Sequence, residues 1–361
     1  YNLVQKDLAK TLTLIAEKGS SGFYEGQTAR YILNEMELGG GIISEKDLKT
    51  YKAIERRPIT QTFHGYQIVS TPPPSSGGIH IIQILNILEE LDLKEMGLNS
   101  AKYIHYLAEA MKRAYADRSK YLGDSDYVNV PIGKLISKRY GRDIALQISP
   151  EKATPSKNIS PGKLSFHESE DTTHFTVADR FGNVVTNTYT LNFSFGSHIA
   201  VPGTGLLLNN EMADFAARPG VANAYGLVEG EANRIAPGKR PLSSMSPTLV
   251  IENGSAKLST GSPGGSLIIT TVLQVLLNAL IFDMNVASAS AQPRVHHQWL
   301  PDSLRVEPGV SPDTINLLRQ MGHNVTVSTR TIGRTQSISL EKGWLYGATD
   351  SRRAGGHVAS Y

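Results

Sequence analysis

The sequence predicts an α+β fold on three observations: a mainly helical first third, a Pro-, Ser- and Lys-rich connection at residues 149–165, and β-rich sequence after it. Residues 3–18 and 28–36 carry apolar side chains at helical spacing, and residues 100–122 repeat Ile104, Leu107, Ala108, Met111 and Tyr115 on one face. Residues 65–70 read as a short strand. The run Pro72, Pro73, Pro74 stops it, and Ser75, Ser76, Gly77 and Gly78 lead into a helix over 79–91. Beyond the connection come a hairpin at 172–190 and strands at 205–209, 247–252 and 256–260, with short strands near Val325, Ser337 and Leu345. Two helices interrupt them, at 267–282 and 312–321.

Composition removes whole classes of chemistry. With no cysteine among 361 residues, thiol nucleophiles, disulfides and thiolate metal sites are excluded. A formal net charge of +3, with Lys and Arg scattered, gives no reason to expect nucleic acid or an anionic membrane as partner. The apolar run at 267–282 is short for a membrane span and contains Thr270, Thr271, Gln274 and Asn278, so it reads as a buried helix and no membrane insertion is expected. Residues 1–11 are polar and helical in pattern, unlike a signal peptide. The ten histidines show no metal-ligand spacing, and Gly-x-Ser-x-Gly, His-Glu-x-x-His, Walker A and Gly-x-Gly-x-x-Gly patterns are missing; neither metal nor cofactor is expected. His296 and His297, adjacent in sequence, should point apart as core or surface residues.

The hairpin carries the most telling chemistry. Its arms are 172–177 and 184–190, joined through Asp179, Arg180, Phe181, Gly182 and Asn183, where Gly and Asn suit the positive φ of tight connections. Symmetry about Phe181 places Thr172 across from Thr190. Two facing hydroxyls at a strand end suggest a nucleophile with a hydrogen-bonding neighbour, although threonine pairs also occur in sheets for packing alone.

Downstream residues extend the constellation. Glu211 and Asp214 are three apart and share a face on a helical turn, as general acid and base, metal ligands, an ammonium clamp or simply solvated surface. Ser243 and Ser244 lie in a loop stiffened by Pro241 and Pro247, where serines cap turns or donate to a carboxylate. Gly264, Gly265 and Ser266 lead directly into the 267–282 helix. Unpaired N–H groups there suit a developing oxyanion, and equally a Gly-rich turn capped by Ser266.

Together with Pro72 to Gly78, the run Ala114-Tyr115-Ala116-Asp117-Arg118 and residues 219–233, these motifs resemble the γ-glutamyltranspeptidase family of N-terminal-nucleophile hydrolases from end to end. The resemblance implies a four-layer α/β/β/α sandwich with antiparallel sheets between helical layers. It implies self-cleavage at Asp171–Thr172, giving residues 1–171 as part of a large subunit and 172–361 as a small subunit with Thr172 at its N-terminus. Family members begin upstream of the counterpart of Tyr1, in a stretch holding an arginine for the substrate α-carboxylate.

Site roles are implied likewise. Thr190 would hydrogen-bond the nucleophile, Gly264 and Gly265 would form the oxyanion hole, and Asn192, Glu211 and Asp214 would hold an α-ammonium. Ser243 and Ser244 would bind the α-carboxylate and Tyr225 would act as a lid. The implied activity is that of a glutathione hydrolase and γ-glutamyltransferase, passing the acyl group to water, an amino acid or a peptide, in the periplasm or outside the cell. A related acylase acting on β-lactam side chains or poly-γ-glutamate, and a non-catalytic homologue, are the alternatives.

Overall fold

The computed structural model describes residues 2–159 and 172–360. The chain forms two compact units, Tyr1–Arg56 with Leu191–Asn210, and Arg57–Thr190 with Glu211–Tyr361.

In the first unit, helices Lys6–Lys18 and Gly26–Gly39 follow the apolar spacing. Ala29, Ile32, Leu48 and Val201 make its core, with Tyr24, Tyr31 and Leu206 packed against them. The strand expected at 205–209 is only Leu206–Leu207, paired antiparallel with Ala200–Val201. The reason is local: Gly203 and Gly205 both have positive φ, and the Thr204 hydroxyl accepts from Leu206 N–H at 3.1 Å, so the turn uses up the residues that would lengthen the arms.

The second unit is built on a six-stranded antiparallel sheet in the order Ile59–Phe63, Tyr66–Ser70, Thr248–Glu252, Ser255–Gly261, Gln336–Glu341, Trp344–Thr349. Strand Tyr66–Ser70 pairs with Thr248–Glu252, so segments from both sides of residue 171 share one sheet. Ile59–Phe63 escaped the pattern reading because its buried ends are separated by polar Thr60, Gln61 and Thr62. Helices Gly77–Leu88, Ala101–Tyr121 and Leu267–Leu280 form the adjoining layer, and every residue of the first is buried. A smaller three-stranded sheet joins Val295–His296, Leu304–Val306 and Val325–Val327, with helix Pro312–Gln320 as the crossover between its parallel pair.

The hairpin Thr173–Ala178 and Val184–Tyr189 packs against the six-stranded sheet, on strands Ser255–Gly261 and Gln336–Glu341, as a second β layer. His174 and Thr176 face inward, the latter hydrogen-bonded to the Ser259 hydroxyl. A Cβ on Gly261 would strike the His174 ring, so glycine permits the close approach of the two layers. Phe175, Val177, Val185 and Tyr189 alternate outward and stay exposed. The fold is α+β, with helices packed beside a mainly antiparallel set of sheets.

Three expectations need correction. Positive φ in the hairpin turn falls on Gly182 alone; Asn183 instead donates its side-chain amide to Asp179 Oδ2 at 2.8 Å. The connection at 149–165 is not free over its described part: Ala153 N–H donates to Met321 O, and the Trp299 indole donates to the carbonyls of Ser156 and Ile159. Buried Trp299 needs an acceptor, and this segment supplies it. Ser266 does not cap the 267–280 helix, for its hydroxyl donates to Gln298 Oε1 at 2.8 Å. Asp171 and the remainder of that connection lie outside the described residues.

Candidate active site

Hairpin register pairs Thr173 with Tyr189, and one further step brings Thr172 opposite Thr190. There the Thr172 hydroxyl donates to the Thr190 hydroxyl at 3.3 Å. The nucleophile candidate thus sits at a strand end whose position is fixed by six cross-strand pairs and by the His174 seat on Gly261.

Strand Ser255–Gly261 leads into Ser262, Pro263, Gly264 and Gly265, and then into helix Leu267–Leu280. Gly264 has φ +135 and Gly265 φ +52, conformations that side-chain-bearing residues rarely adopt. Among the described residues no acceptor takes the N–H of either glycine, while their carbonyls accept from Leu267 and Ile268 at 2.9 and 3.2 Å. Two adjacent donors at the positive end of a buried helix are suited to a developing oxyanion. The Ser262 hydroxyl, accepting from Arg334 N–H at 2.9 Å, braces this turn.

Tyr225 covers it. A Cβ on Gly265 would lie 2.5 Å from the Tyr225 ring, so the ring rests on the glycine turn, and the Tyr225 carbonyl accepts from Gln298 Nε2 at 3.1 Å. The Gln298 amide oxygen meanwhile accepts from Ser266, joining the covering residue to the turn it covers.

Glu211 and Asp214 open and close a short 3₁₀ helix, Glu211–Asp214, in which residues three apart eclipse one another. Burial pushes the Glu211 carboxyl up to about 7. Asn192 belongs to the first unit, where its side-chain amide donates to Asn210 O at 3.1 Å and its φ is +75.

The serine loop is clasped by the triple-proline segment. Ser243 N–H donates to Pro74 O and Ser76 N–H to Ser243 O, both at 2.8 Å, forming a parallel bridge between Ser75 and Ser243. The Ser75 hydroxyl donates to Met245 O at 2.6 Å. Within this clasp, Ser243 Oγ accepts from Met245 N–H at 3.0 Å and Ser244 Oγ accepts from the Arg118 guanidinium at 3.3 Å. Each oxygen has a lone pair occupied by an N–H donor and keeps its O–H to give. Two such hydroxyls in a stiff loop form a donor pair for an anion.

The second unit thus carries a hydroxyl on a hydrogen-bonding neighbour, a pair of adjacent N–H donors, two carboxylates and two hydroxyl donors. The family model described as Gamma-glutamyltranspeptidase matches residues 2–360. The chain belongs to that family. Glutathione hydrolase proenzyme of Escherichia coli (strain K12) is 55% identical over 99% of this chain and 62% of its own length. Glutathione hydrolase proenzyme of Pseudomonas sp. (strain A14) is 45% identical over 99% of this chain and 64% of its own length. The chain therefore spans somewhat under two thirds of the curated relatives it matches. Cephalosporin acylase from Bacillus halodurans shares the fold with a TM-score of 0.83, at 27% identity over 96% of this chain and 61% of that one.

Two polar groups of this γ-glutamyltranspeptidase-family chain have no role in the sequence analysis, although Arg118 closes the run that begins at Ala114. Arg118 is 2% exposed and touches Ser76, Ser244 and Glu229. Its signal was present, since it falls three residues after Tyr115 on the apolar face of its helix. Gln298 lies in a short irregular segment with no periodicity to mark it.

His105, Glu109 and His323 bring three metal-type ligand atoms within 4.8 Å of one another, a grouping that linear spacing hid. These atoms are already committed. His105 Nε2 lies 2.7 Å from Ser149 O and must donate, so its Nδ1 accepts from His323 Nε2 at 2.8 Å. Glu109 is held by Lys112 and Arg113, whose charges hold its carboxyl at about 2 against the opposing effect of burial. Two adjacent cations and a fixed tautomer oppose a bound metal ion. His296 and His297 are both buried; the first bonds Thr270 and Gln298, and the second bonds Asp302.

Proposed function

We propose that the protein is a γ-glutamyltransferase and glutathione hydrolase that matures by cutting its own chain at Asp171–Thr172. The observation that carries this reading is the Thr172 to Thr190 hydroxyl bond at a strand end, in a chain of this family. In maturation, the Thr172 hydroxyl attacks the Asp171 carbonyl carbon, the C–N bond breaks and an ester forms. Water then hydrolyses that ester, leaving an Asp171 carboxylate and a free Thr172 α-amine. The names of the relatives as proenzymes support such processing.

The new amine is the base the hydroxyl lacked. An α-amine with pKa about 8 is partly neutral at pH 7, whereas a lysine near 10.4 is almost wholly protonated. The amine takes the Thr172 hydroxyl proton as Oγ attacks the γ-carbonyl of the donor, and returns it to the departing amine. Gly264 and Gly265 N–H groups receive the oxyanion, each such donor being worth about 3 kcal/mol. Glu211 and Asp214 hold the α-ammonium, Ser243 and Ser244 the α-carboxylate, and Tyr225 limits water entry. Water or the amine of an amino acid or peptide then takes the acyl group from Thr172. No described helix is long and apolar enough to cross a membrane, and action in the periplasm or outside the cell fits the family.

Replacing Thr172 by Ala tests the scheme. The variant should remain one uncut polypeptide and release no anilide from a γ-glutamyl anilide; normal processing would sink the assignment. A second reading, an acylase, is favoured by the structural likeness to the Bacillus halodurans cephalosporin acylase. Rates on glutaryl and γ-glutamyl anilides separate the two. The Glu211 and Asp214 pair predicts preference for the substrate with an α-ammonium.

A further inference from the structure

We propose that Arg118 is the positioning residue for carboxylate recognition, holding Ser243 and Ser244 in donor orientation. The proposal rests on the reading that these serines bind the substrate α-carboxylate.

Arg118 lies in the last turn of helix Ala101–Tyr121, and its three guanidinium nitrogens are shared among three elements. Nη2 donates to Ser244 Oγ at 3.3 Å, Nε donates to Ser76 Oγ at 3.0 Å, and Nη1 pairs with Glu229. Ser76 passes the constraint on, since its hydroxyl and its N–H both donate to Ser243 O at 2.8 Å. One planar group therefore fixes Ser244 directly and the Ser243 backbone through a single intermediate.

The direction of these bonds gives Arg118 its effect. A guanidinium only donates, so Ser244 Oγ can only accept from it, and the hydroxyl proton must go elsewhere. Had the neighbour been a carboxylate, Ser244 would donate to it and offer substrate a lone pair, which repels an anion. Glu229, fully buried, neutralises the Arg118 charge, so the contribution is orientation rather than a long-range field. The fork geometry matters for the same reason: lysine supplies the charge but not two fixed N–H vectors.

Activity should be measured on two anilides in wild type, Arg118→Lys and the charge-balanced double variant Arg118→Met with Glu229→Gln. One carries the γ-glutamyl group; the other carries 4-aminobutanoyl, the same acyl chain without its α-carboxylate. Arg118→Lys should raise KM for the γ-glutamyl anilide about tenfold with kcat within about threefold. The rate on the aminobutanoyl anilide should be unchanged relative to wild type. In a Ser244→Ala background, Arg118→Lys should cost less than it does in wild type, because its direct bond is already gone and only the path through Ser76 to Ser243 remains. Equal losses on both substrates, full additivity with Ser244→Ala, or failure of both Arg118 variants to fold would reduce Arg118 to a structural ion pair and overturn the proposal. Should wild type itself not distinguish the two anilides, the carboxylate reading of the serines fails first.

Discussion

Gly264 and Gly265 show how narrowly the chemistry is set at single residues. At φ +135, Gly264 has a conformation closed to alanine, and a Cβ on Gly265 would displace Tyr225. Gly265→Ala should lower kcat by about two orders of magnitude, the usual cost of a misplaced oxyanion donor, while the far-UV spectrum is kept. An unchanged kcat would remove these glycines from the mechanism. Glu211 carries a second prediction. With its carboxyl pushed up to about 7, it is protonated below that pH and ionised above it. Affinity for a γ-glutamyl donor should therefore rise with pH through about 7, and Glu211→Gln should flatten that rise. A glutaryl donor has no ammonium and should show no such limb, which separates Glu211 from the titrating Thr172 amine. The placement of Thr172 across from Thr190, and of the glycine pair ahead of a helix, was legible because hairpin symmetry and a Gly-rich helix start are local signals. The contacts of Arg118 with Ser76 and Ser244, and of Gln298 with Tyr225, each span more than 30 residues, so no local pattern records them.

Among the elements, the clasp of the triple-proline segment on the serine loop holds Ser243 and Ser244 against one strand end. Pro72 to Gly78 runs beside the serine loop, and a Cβ on Gly77 would meet Met245 O at 2.6 Å and crowd Ser246. Gly77→Ala should destabilise the protein by about 1–3 kcal/mol through overpacking, and should raise KM more than it lowers kcat. Denaturant titration and steady-state kinetics check the two halves. Long periodic helices such as Ala101–Tyr121 and Leu267–Leu280 were legible almost to their ends, because a buried face repeats every three or four residues. Ile59–Phe63 was not, since an edge strand with a polar middle lacks alternation, and the pairing of Tyr66–Ser70 with Thr248–Glu252 is a long-range choice no local pattern records. The Pro/Ser-rich composition around residue 155 suggested a loose connection, but composition does not register the buried Trp299 indole that needs its carbonyls.

For the whole molecule, buried neutral histidines dominate the expected response to acid. Burial holds His80 and His323 at about 3 and His174 and His296 at about 4, below the ordinary value of 6.5. The unfolded chain binds protons on these groups from about pH 6.5 downward while the fold refuses them, so stability falls as pH drops below that value. Glu211, Asp117 and Glu229 act in the opposite sense, burial raising their carboxyls and so favouring the fold at low pH, but burial lowers His105 and His297 as well as the four histidines above, leaving six groups against three among the described residues. Melting temperature should decline between pH 7 and 5, before ordinary carboxylates titrate; a flat profile over that window would contradict the neutral assignment.

All of the proposed chemistry depends on a free amine at Thr172. N-terminal sequencing of the purified, active protein tests that most directly: a polypeptide starting Thr172-Thr173-His174 is the predicted result, and full activity from a chain still continuous through Asp171–Thr172 would contradict it.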